Sequence, residues 1–200
     1  MKVFIIIAII LIVIFILFQI YTAMSINKTE TQAYKVIRDE GTFQIRYYPA
    51  ATMAMISSTS KSYSDLGYSG FGKLAKFIFG GNSEKKKIAM TSPVHMDIGD
   101  TQSTMAFVLP SAYQQSNLPK PNDPDISIIT SEPEYVAVMQ FTGFATTASI
   151  NKHRMLLEKA LKDKGIPCYG HFRYLGYNPP YQLFGRRNEV IVALNADHFK

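Results

Sequence analysis

Cysteine is almost missing from this chain: Cys168 is the only one among 200 residues. That excludes an internal disulfide and a thiolate cage for a metal ion, so stability has to come from packing. The lone thiol fits either side of a membrane and reads most simply as a small core residue. Tryptophan is absent altogether, and strong charge of one sign is lacking too. The formal net charge is +6, and Lys85, Lys86 and Lys87 form the one tight basic cluster. The basic stripe with interleaved aromatics that marks a nucleic-acid binder is not there. The triplet reads as a solvated turn, and nucleic acid is not an expected partner.

Catalytic signatures are equally scarce. No Gly-x-Ser-x-Gly elbow occurs, and no two of His95, His153, His171 and His198 stand at a metal-ligand spacing. Gly67 to Lys73 satisfies the opening of a phosphate-binding loop, but Leu74 stands where Ser or Thr would hold magnesium. The glycines there are expected to admit a close helix approach instead. The acidic pairs Glu132/Glu134 and Asp97/Asp100 lie in turn-like settings that suit solvated charge. What the chain does hold is nine Met, thirteen Phe and twelve Tyr. Such soft, flat side chains build cores and also line apolar pockets for large planar ligands.

Charge is absent from one long stretch. After Lys2 no ionisable Asp, Glu, Lys, Arg or His occurs until Lys28, and Val3 to Phe18 is unbroken apolar sequence. At about 1.5 Å rise per residue, Val3 to Met24 crosses roughly 30 Å of hydrocarbon with its backbone hydrogen bonds satisfied internally. Residues 1–25 are therefore expected to be an N-terminal transmembrane anchor. The alternative is a cleaved signal peptide with Ala23 and Ser25 before the cut, against which the run exceeds the usual ~7–15-residue core. The two-residue tail ahead of the run suggests a signal-anchor, single-pass, with the domain on the extracytoplasmic side. A polar stalk, 26–33, leads to one soluble domain, 34–200.

Within that domain Tyr34 to Arg38 and Phe43 to Tyr48 flank the turn signal Glu40-Gly41 and predict a hairpin. Ala51 to Ser57 predicts a strand. Phe71, Leu74, Ala75 and Ile78 recur at helical spacing until Gly80-Gly81-Asn82. Ile88 to Met90, Val94 to Ile98 and Met105 to Leu109 predict short strands. Pro110, Pro119, Pro121 and Pro124 mark a surface crossover. The same order then recurs: strands Ile126 to Thr130 and Tyr135 to Phe141, helix Thr147 to Lys164, strands Tyr169 to Tyr174 and Val190 to Leu194. Each half reads strand, strand, helix, strand, strand. The fold class is α+β, with two helices against a sheet and a cleft where the halves meet.

Several motifs go beyond periodicity. Lys87-Ile88-Ala89-Met90-Thr91-Ser92-Pro93-Val94 resembles the signature of the SOUL haem-binding protein family. Phe43 to Tyr48, Phe71 to Asn82, Phe107-Val108-Leu109-Pro110, Phe141-Thr142-Gly143-Phe144, Tyr177-Asn178-Pro179-Pro180 and Arg187-Asn188-Glu189-Val190 agree with it in order. The likeness runs from about Tyr34 to Leu194 and leaves the apolar run outside. It implies a duplicated domain with a curved or barrel-like antiparallel sheet, and haem or another tetrapyrrole bound in a shallow apolar groove by the first helix. By position, the resemblance puts Phe71, Leu74, Ala75 and Ile78 in that groove, with Lys73, Lys76 or Arg46 meeting the propionates. Some relatives have a histidine proposed as axial ligand where this chain has Tyr47, so the expectation is a Tyr47 phenolate or no axial protein ligand. The expected role is a membrane-tethered protein that buffers or transfers haem, not an enzyme. The alternatives are an envelope module that uses the groove for a protein segment or lipid, and a hydrolase with Glu189 or Tyr177 as acid or base.

Overall fold

The structure, a computed structural model, describes residues 2–26, 29–114 and 116–196. Asn27 and Lys28 of the stalk, and His198, lie outside the described residues. The elements are α1 (Lys2–Ile26), β1 (Lys35–Asp39), β2 (Gln44–Tyr48), β3 (Thr52–Ser58), α2 (Tyr63–Ile78), β4 (Val94–Asp97), β5 (Ser103–Val108), β6 (Ile126–Thr130), β7 (Glu134–Phe141), α3 (Thr147–Asp163), β8 (Cys168–Gly176) and β9 (Asn188–Leu194).

The strands make one curved nine-stranded sheet in the order β1-β2-β7-β9-β8-β4-β5-β3-β6. Every pairing within it is antiparallel. Leaving β1 aside, the order is symmetric about the β4–β8 pair: β2, β3, β4 and β5 correspond to β6, β7, β8 and β9. Each half gives its first strand to the other, β2 pairing with β7 and β6 with β3. The duplication expected from sequence is therefore present with exchanged edges, and neither half completes its sheet alone.

Alternation along the strands separates two faces. Ile45, Ala54, Phe107, Ala137, Val190 and Val192 point to one face and form the main core with Leu66, Leu74, Phe77 and Ile78 of α2 and Ile150, Leu157 and Leu161 of α3. Burying each large side chain contributes about 1.5–3 kcal/mol, so the helices are held mainly by these stripes. On the opposite face Tyr48, Val136, Val138, Leu175 and Ile191 make a second cluster, and Met53, Ala106 and Val108 a third.

Helix α2 starts well before the apolar spacing showed. The Ser62 side chain accepts from the Asp65 N–H as N-cap, and Ser69 donates back to the Asp65 carbonyl. Gly70 is the glycine that allows a close approach: a Cβ there would lie 2.4 Å from Ile56 Cδ1 on β3. Gly72 faces open space. Two expectations are corrected. Ile88 to Met90 is not a strand, because the segment turns back along the end of α2, where the Ile88 N–H donates to the Ile78 carbonyl at 2.7 Å and its side chain enters the core. Cys168 is exposed, since the first residues of β8 project beyond the packed layer.

The stalk is partly docked. The Gln32 N–H donates to Ser92 O, the Ser92 N–H donates to Glu30 O, and the Gln32 side chain meets His95 Nε2 at 2.7 Å. Upstream, α1 leaves its apolar side chains from Val3 to Phe18 exposed, and Lys2–Thr22 is long and apolar enough to cross a membrane.

Candidate functional site

The outer side of α2 carries Tyr68, the most exposed aromatic among the described residues of the folded domain, in line with two further exposed rings. At about 3.6 residues per turn, positions 68, 71, 75 and 79 fall in one row. Tyr68 is 93 % exposed, Phe79 at the C-cap 63 % and Phe71 42 %, with Ala75 half-buried between them. Phe71 also meets Phe107 of β5 edge-on at 5.2 Å, which holds its ring against the sheet. Lys76 is exposed on the side of this row, whereas Lys73 lies on the far flank, ion-paired with Asp125. Asn82 fixes the end of the helix: its amide donates to the Phe77 and Lys86 carbonyls, and its oxygen accepts from the Glu84 and Lys86 N–H groups.

The structure divides the residues expected in the groove. Phe71, Ala75 and Lys76 belong to the outer row. Leu74 and Ile78 point into the core and are sealed there. Arg46 and Tyr47 are on β2, which borders β7 in the half covered by α3, while α2 packs on β3 and β5. The strand exchange explains this separation. Tyr47 packs its ring on Tyr135 of β7 at 5.1 Å, and the phenol within the α2 row is Tyr68.

Arg46 instead belongs to a buried polar cluster on the face away from the helices. Its Nη1 donates to both oxygens of Glu189 at 3.0 and 3.1 Å, and Nε and Nη2 donate to Gln44. Arg187 donates to Glu189 Oε1 from Nε and Nη2, and the Tyr177 hydroxyl donates to Oε2 at 2.8 Å. The Arg187 guanidinium also lies 3.9 Å from the Tyr177 ring centroid. Burial, the largest single influence, opposes the charges on Arg46 and Arg187, yet Glu189 together with Tyr48 beside Arg46 and with Tyr177 and Tyr34 beside Arg187 outweighs it, and both pKa values are raised. Burial, then Glu189, raises the Tyr177 phenol. Glu189 is fully buried with both oxygens engaged, so the two residues offered as candidates for the acid or base of a hydrolase are bonded to each other inside the protein. Sequence reasoning missed this partnership, because Arg187 lies just ahead of β9 and Glu189 two residues on, outside the apolar stretch from Val190 that marked the strand.

The described histidines are all partnered. His153 stacks on Phe141 with ring centroids 4.1 Å apart, and its Nδ1 lies 2.7 Å from the Ser149 carbonyl. His171 sits beside Asp97 at 3.5 Å. His95 is half-covered by area yet ringed by protein, and burial, followed by Arg173, brings its pKa down to about 3. Among the described residues no group of three or more His, Cys, Asp or Glu could hold a metal ion.

The cleft expected between the halves is present. It opens where α2 and α3 begin, has a volume of about 600 Å³, and is lined by Lys61, Tyr63, Arg154, Met155, His171 and Phe172 among others.

With this geometry in place, comparison with known proteins gives the family. A model of the SOUL heme-binding protein family matches residues 29–193. The chain belongs to the SOUL family. It is 30 % identical to human heme-binding protein 2 over 173 residues, 80 % of this chain and 84 % of that one. It is 29 % identical to Xenopus laevis heme-binding protein 1, over 79 % and 86 % of the two chains. Among solved structures, the EcmrR C-terminal domain superposes with a TM-score of 0.61 at 8 % identity, covering 81 % of this SOUL chain and 98 % of that domain. A hydrolase from Listeria innocua superposes at 0.55 with 6 % identity, covering 77 % and 92 %. At such identities these two likenesses concern the fold alone.

Proposed function

We propose that this protein is a membrane-tethered tetrapyrrole-binding module that holds haem or a related macrocycle on the outer row of α2 and buffers or hands it over without transforming it. The observation that carries the reading is the row itself: Tyr68, Phe71 and Phe79 are exposed together in a chain of the SOUL family. A flat apolar ligand covers such a row, and Lys76 stands where a propionate would reach. Lys73 meets a propionate only by leaving Asp125. Iron ligation by the protein is not required; a phenolate ligand on this face would come from Tyr68. The sealed Glu189 supports binding without catalysis.

A second location is favoured by the cleft between the halves. There Lys61 and Arg154 supply cations, Met155 and Phe172 supply apolar surface, and His171 supplies an imidazole beside a carboxylate. The α2 row is preferred because its aromatics are already aligned and, among the described residues, have no ring or cation stacked on their outer side.

The tether is α1. Its apolar side chains are exposed along the whole length of Lys2–Thr22, an arrangement suited to hydrocarbon and not to water. The short N-terminal tail favours an uncleaved signal-anchor with the domain outside the cytoplasm. At a membrane face a weak groove works at high local concentration. The test is titration of the full-length chain in lipid nanodiscs with haemin, read against empty nanodiscs. A saturable Soret change above the lipid background supports the proposal; a change equal to that of empty nanodiscs refutes it.

A further inference from the structure

The segment Asn178–Arg186, between β8 and β9, turns its polar groups inward and its apolar groups outward. Arg186 is buried and donates from Nη1 to the Pro179 and Gln182 carbonyls, both at 2.7 Å, and from Nη2 to the Asn178 carbonyl at 3.4 Å. Gln182 is also buried, accepting from the Asn178 side-chain amide and donating to the Phe184 carbonyl. The Asn178 oxygen takes the Arg187 N–H at 2.6 Å. This network makes the loop a fixed shape. On its outside Tyr181, Leu183 and Phe184 are 56 %, 39 % and 71 % exposed. Phe144, 54 % exposed, covers the Arg186 guanidinium at 4.6 Å. A rigid loop that presents three large apolar side chains to solvent, with Phe144 of the β7–α3 connection beside them, is shaped for an apolar partner.

The identity of that partner follows from α1. Gln19 is the first uncharged polar side chain after the apolar run, and both ends of its amide bind this loop. Nε2 donates to the Tyr181 carbonyl at 3.2 Å, and Oε1 accepts from the Leu183 N–H at 3.1 Å. The Phe18 and Tyr181 rings lie 6.1 Å apart. Gln19 is in the last turn of the Lys2–Thr22 span, so it lies about 5 Å along the axis from the end of that span. That is the depth of the interfacial layer, where tyrosine and other aromatics are favoured.

We propose that the Asn178–Arg186 loop, with Phe144, is a second membrane contact: Tyr181, Leu183 and Phe184 enter the interfacial layer of the bilayer that α1 spans. The inference rests on the anchor reading above. Its consequence is orientation, because two contacts fix how the domain sits on the lipid where a single flexible tether would not.

The absence of tryptophan makes the test direct. Phe184→Trp, Phe15→Trp in α1 and Tyr68→Trp on α2 are each introduced into the full-length chain and reconstituted in phosphatidylcholine vesicles with bromines either near the headgroup or deep in the acyl chains. The expected result is that Phe184→Trp emission is shifted to the blue, loses most of its intensity to the shallow bromines and resists aqueous iodide. Phe15→Trp is expected to be quenched by the deep bromines, and Tyr68→Trp by iodide alone. If Phe15→Trp is quenched by lipid while Phe184→Trp responds only to iodide, the loop contact is wrong and the anchor stands. If neither is quenched by lipid, both are wrong. A blue shift of Phe184→Trp that grows with protein density and not with bromine would assign the loop to a second copy of the chain and also overturn the proposal.

Discussion

Helices α2 and α3 occupy equivalent places in the two halves, each packed on its own side of the β4–β8 pair, yet their outer surfaces differ. Helix α3 is an ordinary solvated helix, with Arg154–Glu158 and Lys159–Asp163 ion pairs one turn apart and a Thr146–Ser149 capping box. Helix α2 contains Gly67, Gly70 and Gly72, each costing up to about 1 kcal/mol of helix propensity relative to alanine. It also exposes three aromatic rings, Tyr68, Phe71 and Phe79, where α3 exposes charged side chains beside Met155 and Leu156 and no aromatic. Duplication has preserved the topology and the buried stripes while the outer faces diverged. A surface that departs from its structural twin toward poorer helix propensity and more exposed aromatic area is the place to look for binding.

Variants that attack the shared frame should affect both halves most strongly. Glu189→Gln leaves Arg46 and Arg187 without their carboxylate in a buried setting and is expected to cost about 3–5 kcal/mol, read as a lower midpoint in urea unfolding of the nanodisc-held protein. Leu74→Ala and Leu157→Ala remove fully buried leucines from α2 and α3. Each is expected to cost about 2–5 kcal/mol, and similar losses in the two would confirm that the buried stripes are equivalent. A loss confined to one would break the comparison.

Smaller effects sharpen it. The pH response is expected from the β4–β8 junction where the halves meet. His95 titrates at about 3 in the folded protein, against about 6.5 in an unfolded chain. Between those values the unfolded chain binds the additional proton, so stability falls as pH drops from about 6.5 toward 3. The change is read from unfolding midpoints measured across that range, and His95→Gln should flatten it. Gly72→Ala adds a methyl into open space on a helix and is expected to stabilise α2 by up to about 1 kcal/mol, visible as a raised melting temperature with haemin binding retained.

Much of this architecture was legible in the chain. The strand from Ile126 to Thr130 and helix α3 stand where the apolar spacing put them, because local periodicity and the Gly165 stop decide both. The start of α2 was hidden because Gly67, Ser69 and Gly70 dilute its apolar pattern, while the Ser62 cap that defines it sits among other serines. Non-local pairing was illegible. Nothing near Arg46 announces Glu189, and nothing in the duplicated order says that β2 and β6 trade places. That exchange is why residues adjacent in the expected groove, Tyr47 among them, are divided between two regions.

The most direct test of the central claim, that the outer row of α2 is the tetrapyrrole face, is haemin titration of two double variants of the full-length protein in nanodiscs. Tyr68→Ala with Phe71→Ala removes the α2 row, and Met155→Ala with His171→Ala alters the cleft between the halves. The account predicts that the first pair weakens binding by at least about tenfold, the effect of losing roughly 1.4 kcal/mol of contact, while the second leaves it unchanged. Full affinity in the α2 pair with loss in the cleft pair would contradict it.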